Sequence, residues 1–255
     1  MSHTVPSLLR PLQTLGQISP AALDMVKVLA LIAMLADHIN TLFLTPGNLL
    51  LYAAGRMAFP LFTLIWAMNV QRTPERLQVR ANRLWRWAVI TQPVFSLAFA
   101  HHHPWWALNI LFVFAGVTQL LALQYRYGKK GLMAGVLLLV VLVWPLSPAS
   151  YGLAGMVLAT GMVIATGGQT SAVQRTGVIV SGLSLCCLNG VSHLLSLPAD
   201  TLLFATLPTL VFPIMAIYLS IQLCPEGCPR FMPRHFFYIA YAGHLLVLLI
   251  LMQLW

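Results

Sequence analysis

Apolar residues run along this chain in long blocks, not in alternation or heptads, and most blocks are about 20 residues long, enough to cross a bilayer. The blocks fall at 20–44, 49–71, 78–100, 105–125, 130–146, 150–168, 174–196, 201–223 and 236–254. Turn-forming stretches such as TPGN, HHHPWW, PLSPAS, LPAD and CPEGCPR separate them. The pattern predicts an all-α, polytopic membrane helical bundle of about nine transmembrane helices. The block at 130–146 is the shortest and leaves eight or ten spans as alternatives. No short apolar region with a small-residue cleavage site precedes the first block, so no removed signal peptide is expected. No repeat, low-complexity tract or long linker interrupts the series, and residues 1–255 read as a single integral-membrane domain.

The polar positions add an orientation. Arg10 precedes the first block; Arg72, Arg76 and Arg80 follow the second, with Arg83 and Arg86 opening the third. Arg126, Lys129 and Lys130 follow the fourth block, Arg175 the sixth, and Arg230 and Arg234 the eighth. The intervening loops at 45–48, 101–104, 147–150 and 197–200 contain no Lys or Arg. With nine spans, every basic loop lies on one side, which the positive-inside rule makes cytoplasmic. The N-terminus is then inside and Trp255 outside.

Composition agrees: 59% of residues are hydrophobic and 7% charged, against about 25% charged in soluble domains. The net charge of +9, from 14 Lys and Arg against 5 Asp and Glu, does not indicate nucleic acid, because the positives are confined to short loops. The four cysteines form no disulfide framework. Cys186 and Cys187 lie in an apolar run, and Cys224 and Cys228 lack a second ligand pair at zinc spacing, so no metal is expected.

Within or near the ends of the spans, the ionisable residues are Asp24, Lys27, Asp37, His38, Arg56, His193 and His244. Charges in lipid are costly and mark functional candidates. On a helix turning 100° per residue, Asp24, Lys27 and His38 share one face, a stripe about 21 Å long. Asp24 and Lys27 also suit an interfacial ion pair, and His193 and His244 suit hydrogen-bonded packing roles. Arg56 enters the second span at the depth of Asp37 and His38, so an Asp37–Arg56 pair is expected. Asn109, Tyr151, Asn189 and His193 reach the same depth, predicting a polar chamber that leans outward and contains His38. A neutral imidazole beside a carboxylate can serve as a general base. No Gly-x-Ser-x-Gly elbow, HExxH, nucleotide loop or carboxylate pair accompanies it. At this level an acyl-transferring enzyme and a proton-coupled transporter stand equally.

The stretches ALDMVKVLALIAMLADHIN, GRMAFPLFTLIWAMN, NRLWRW, NILFVFAG, PLSPASYGLAG and PRFMPRHFFYIAYAGHLLVL, running in order from Asp24 to Leu248, resemble the TraX family of conjugation systems. The sequence looks like a plasmid-borne, TrbP-type member. The resemblance implies a multi-pass protein of the bacterial inner membrane that acetylates the N-terminus of pilin, or another membrane or periplasmic acceptor, with acetyl-CoA as donor. The Asp24, Lys27 and His38 spacing is also similar to the first helix of acyltransferase-3 type enzymes, with Lys27 where that family has arginine. That similarity implies His38, with Asp37, as catalytic base and Lys27 as a donor-side or structural contact. Arg76, Arg80, Arg83 and Arg86 would then meet the donor's phosphates, and Asp24, Arg56, Asn109, Tyr151 and His244 would form the surrounding polar site. A non-catalytic role in pilus assembly is the other reading the family allows. For topology, a reporter fused after Trp255 should be active as alkaline phosphatase and dark as a cytosolic fluorescent protein; the reverse pattern means the span count is off by one.

Overall fold

A computed structural model describes residues 18–189, 195–225, 227–233 and 236–254, and every regular element among them is helical. Arg10, His193, Arg234 and Trp255 lie outside the described residues. In chain order the helices are α1 (Pro20–Phe43), α2 (Leu49–Gly55), α3 (Ala58–Val70), α4 (Leu77–Ala98) and α5 (Leu111–Leu146). There follow α6 (Gly152–Gly167), α7 (Ser171–Cys187), α8 (Pro198–Leu223, π-helical at Leu202–Thr206) and α9 (Phe236–Leu254). Among the described residues, Leu49–Val70, Leu111–Leu146, Pro198–Leu223 and Phe236–Leu254 are long and apolar enough to cross a membrane.

Local chemistry sets several boundaries. Ser19 caps α1, its hydroxyl accepting from the Ala22 N–H at 3.1 Å, and Pro20 supplies the pre-set φ of the first turn. Asn48 caps α2 by accepting from Leu50 and Leu51. The block expected at 49–71 is two helices rather than one. Arg56 N–H and Met57 N–H bond back three residues, to Ala53 and Ala54, which tightens the chain at the arginine. The block expected from 105 begins helically only at Leu111, because the Asn109 side chain accepts from the Leu111 N–H and starts the helix there.

α5 spans 36 residues but turns back on itself at Gly128, whose φ of 59° and ψ of −132° are non-helical. A Cβ on Gly131 would lie 1.9 Å from the Leu123 carbonyl oxygen, and one on Gly135 would lie 2.8 Å from Leu120 Cα. These approaches pair later residues with progressively earlier ones, so the two limbs run antiparallel. The segments read as 105–125 and 130–146 are therefore the arms of one tight hairpin.

α1, α3, α4, α5, α6 and α9 meet in one core built on Phe59, Val113, Val117, Leu158 and Leu245. The outward faces are equally apolar. Val140, Val141 and Trp144 on α5, Ile214 and Met215 on α8, and Ile250 and Leu251 on α9 are all exposed. An apolar surface of that extent fits a lipid environment. The hairpin depends on backbone contact, so Gly131→Val should cost about 3 kcal/mol or more. Gly182→Ala, where an added Cβ meets nothing within 4 Å, should be neutral or mildly stabilising. Melting temperatures and monodispersity in detergent check both.

Candidate functional site

Asp24 is completely buried near the start of α1. Its Oδ1 accepts from Lys27 Nζ at 2.8 Å, while Oδ2 accepts from the backbone N–H groups of Phe231 and Met232 at 3.1 and 3.0 Å. Arg230 Nε stands 4.0 Å from the same oxygen. Three hydrogen-bond donors and a longer ion-pair contact thus compensate one buried carboxylate and pin the strap ahead of α9 to α1. Lys27 also sits over the Phe237 ring, 5.4 Å from its centroid.

Farther along α1, Asp37 and His38 diverge. Asp37 forms an ion pair with Arg56 at the joint between α2 and α3. Arg56 also donates to Asn189 Oδ1 at 3.3 Å and packs over the Tyr52 ring at 4.3 Å. Asn189 in turn donates to Thr209 Oγ1 at 3.0 Å, extending the network to α8. Gly55 makes room for the pair, since a Cβ there would lie 2.5 Å from the Asp37 Cβ. His38 instead meets His244 of α9, with Nδ1 and Nε2 2.8 Å apart. Their rings lie nearly parallel, 5.0 Å between centroids, and Phe99 meets His38 edge-on at 5.1 Å. His244 Nδ1 lies 2.9 Å from the Ala240 carbonyl oxygen.

One cavity of about 420 Å³ opens at the basic end of the bundle and runs toward the histidine pair. Lys27, Arg72, Arg80, Arg83 and Arg230 rim it, and Leu31, Met34, Phe62, Trp66, Phe114 and Tyr241 line it more deeply. Met34 lies one turn before His38 on α1. Tyr241 lies one turn before His244, with 5.6 Å between ring centroids. The cavity therefore ends about one helical turn short of the histidine pair. Its chemistry, cationic at the mouth and apolar and aromatic inside, suits a molecule with an anionic head and a slender neutral tail.

The sequence model described as TraX protein matches residues 22–252 of this chain. The chain belongs to the TraX family. Protein TraX of Escherichia coli is 36% identical over 231 residues, covering 90% of this chain and 87% of the relative. Protein TraX of Escherichia coli strain K12 is 36% identical over 238 residues, covering 93% and 90%. No solved structure matches the chain.

The structure of this TraX-family chain joins some of the expected residues and separates others. Asp24 pairs with Lys27 and Asp37 with Arg56, as their spacing and depth suggest. Asp37 is not turned toward His38; His244 holds that place. Tyr151, in a left-handed conformation at φ 61°, stacks on Phe59 with 4.8 Å between centroids and lies within electrostatic reach of Arg56 and Asp37. Asn109 does not join this group. It is fully buried and bonded to Ala88 O and Gln92 Oε1, both at 2.9 Å, and so braces the loop before α5. Arg80 rims the cavity but spends its guanidinium on Asn69 O, Val70 O and Thr73 Oγ1. Among the described residues, the guanidinium groups of Arg72 and Arg83 donate no hydrogen bond to the chain. Arg86 is exposed and outside the cavity. Arg72 and Arg230 carried only a topological meaning in the sequence, although their place in the basic loops was the available signal.

Breaking the Asp37–Arg56 pair strands one charge among apolar helices. Asp37→Asn and Arg56→Gln should each cost about 3–5 kcal/mol, with the double variant losing clearly less than the sum. A double-mutant cycle on stability in detergent checks this, and strict additivity would show that the two side chains act independently.

Proposed function

We propose that this chain is a membrane-embedded acyltransferase that uses acetyl-CoA to acetylate the N-terminus of conjugative pilin, or another membrane or periplasmic amine. The carrying observation is the cavity, which opens among arginines and ends one turn from His38 and His244. Coenzyme A has the matching chemistry. Its phosphates suit Arg72, Arg83 and Arg230, with Lys27 at the same rim, and its neutral pantetheine arm suits the shaft past Trp66 and Phe114. In this proposal the protein lies in the bacterial inner membrane, with the basic loops and N-terminus cytoplasmic. The nine spans count the two limbs of α5 separately and take α2 and α3 together.

The reaction then needs few groups. The acceptor amine attacks the thioester carbonyl, forming a C–N bond, and the C–S bond breaks with loss of the coenzyme A thiolate. His38 takes the proton that the amine must lose and returns it to the departing thiolate. The donor reaches the pair from the basic end and the acceptor from the other, so neither substrate has to cross the bundle. A pilin amine exposed on the outer face of the membrane would be placed for this route.

His38→Gln removes the base while keeping polarity and approximate size. It should lower acyl transfer roughly 10²–10⁴-fold, with inserted protein still abundant, as read by intact-mass measurement of pilin. Normal pilin modification by the variant, or pilin of unchanged mass in the presence of the wild type, would overturn the proposal. Proton-linked solute flux without an acyl donor would instead identify a transporter, and full pilus assembly by the His38→Gln variant a scaffold.

A further inference from the structure

We infer that His244 is a positioning residue that holds His38 in its Nδ1–H tautomer, leaving Nε2 as the basic nitrogen. The inference rests on the reading of His38 as general base, but its geometric part stands alone. The Ala240 carbonyl can only accept, so the His244 Nδ1 that faces it at 2.9 Å must carry a hydrogen. In a neutral ring His244 Nε2 is then a lone pair. His38 Nδ1, 2.8 Å away, must therefore donate to it. The remaining nitrogen of His38, Nε2, is bare and available for a proton.

The alternative assignment makes His244 an imidazolium that donates from both nitrogens. Among the described residues no carboxylate lies within ion-pairing distance of either histidine. Asp37 is engaged by Arg56, and Asp24 by Lys27, Arg230 and the Phe231–Met232 amides. An unpaired cation beside Phe99 and Tyr241 would cost several kcal/mol, so the neutral chain of bonds prevails. It runs in one direction, from His38 through His244 to the backbone of α9. Acid–base sites commonly orient a histidine base by a hydrogen bond that its other nitrogen donates, often to a carboxylate. Here an imidazole, fixed by its own helix, takes the position that Asp37 leaves vacant. Phe99, edge-on to His38, limits the swing of its ring.

Nitrogen-15 NMR of histidine-labelled full-length protein in micelles reads the tautomer directly, with His38 assigned by its loss in His38→Gln. The wild type should show His38 protonated at Nδ1 and bare at Nε2. His244→Leu, which cannot accept, should shift His38 toward the Nε2–H form. Acyl transfer should fall roughly 10–100-fold in kcat, with KM for acetyl-CoA little changed. His244→Gln, whose amide oxygen can accept from Nδ1–H, should restore much of the tautomer preference and of kcat. Wild-type His38 protonated at Nε2, or an unchanged tautomer in His244→Leu, would overturn the inference. If His244→Leu does not fold, the wild-type spectrum and the Gln variant decide. An Nδ1–H tautomer in a protein that never transfers an acyl group would sink the proposed reaction and leave the tautomer assignment standing.

Discussion

The Asp24 carboxylate is the constraint on which the two ends of the chain depend. An anion with no exposed surface survives only where fixed donors replace water, and here, besides Lys27, they come from residues more than two hundred positions away. By drawing the Phe231 and Met232 amides onto the second turn of α1, Asp24 starts α9 beside Lys27 and not at the end of α1. Everything downstream inherits that offset. Counted from their helix starts, His38 is about ten residues deeper in α1 than His244 is in α9, a gap of about 15 Å. Setting Phe237 against Lys27 removes about 9 Å of it, and two imidazole side chains span the remainder. The same strap delivers Arg230 and Met232 to the cavity, so one buried acid sets both its mouth and the histidine contact near its inner end.

The arginines divide their work. Arg80 satisfies the carbonyls of Asn69 and Val70 where α3 ends, a position at which helices leave unpaired acceptors. That commitment ties the α3–α4 turn together, and its charge still faces the cavity. Arg83 lies three residues later on the same face without such a commitment, and Arg72 sits in the turn itself. Arg86 has left the cavity for the exposed surface. Donor contacts, in the proposed function, fall on the arginines whose hydrogen bonds are not already used to hold the fold.

The all-helical, membrane-spanning character was legible from apolar block lengths, because lipid imposes its length requirement on sequence directly. Pairing Asp37 with Arg56 was legible too, since a short turn fixes neighbouring helices at matching depth. Other features depend on tertiary contacts that pattern cannot express. The break between the blocks ending at 125 and beginning at 130 was legible from hydropathy, but not the tightness of the turn, in which the Gly131 backbone meets Leu123. Asn109 counted as a chamber residue by depth, yet its amide is consumed by Ala88, Gln92 and the start of α5. The His38–His244 contact needed the offset of α9, and that offset is encoded in Asp24, which spacing placed on the His38 stripe and beside Lys27 without showing its reach to Phe231 and Met232.

The adjacency of Asp37 and His38 also takes a different meaning. Successive helical residues point about 100° apart, so an acid and a base placed side by side in sequence address different neighbours. Asp37 faces the α2–α3 joint and, with Arg56, Asn189 and Thr209, fastens α1 to the helices around that joint. His38 faces α9. The acid thus anchors the wall from which the imidazole projects, while orientation of the ring falls to His244. A carboxylate bonded directly to His38 would have added a charge at the inner end of the cavity. A neutral imidazole in that role keeps that end uncharged, which, in the proposed reaction, suits a thioester and a deprotonated amine meeting away from water.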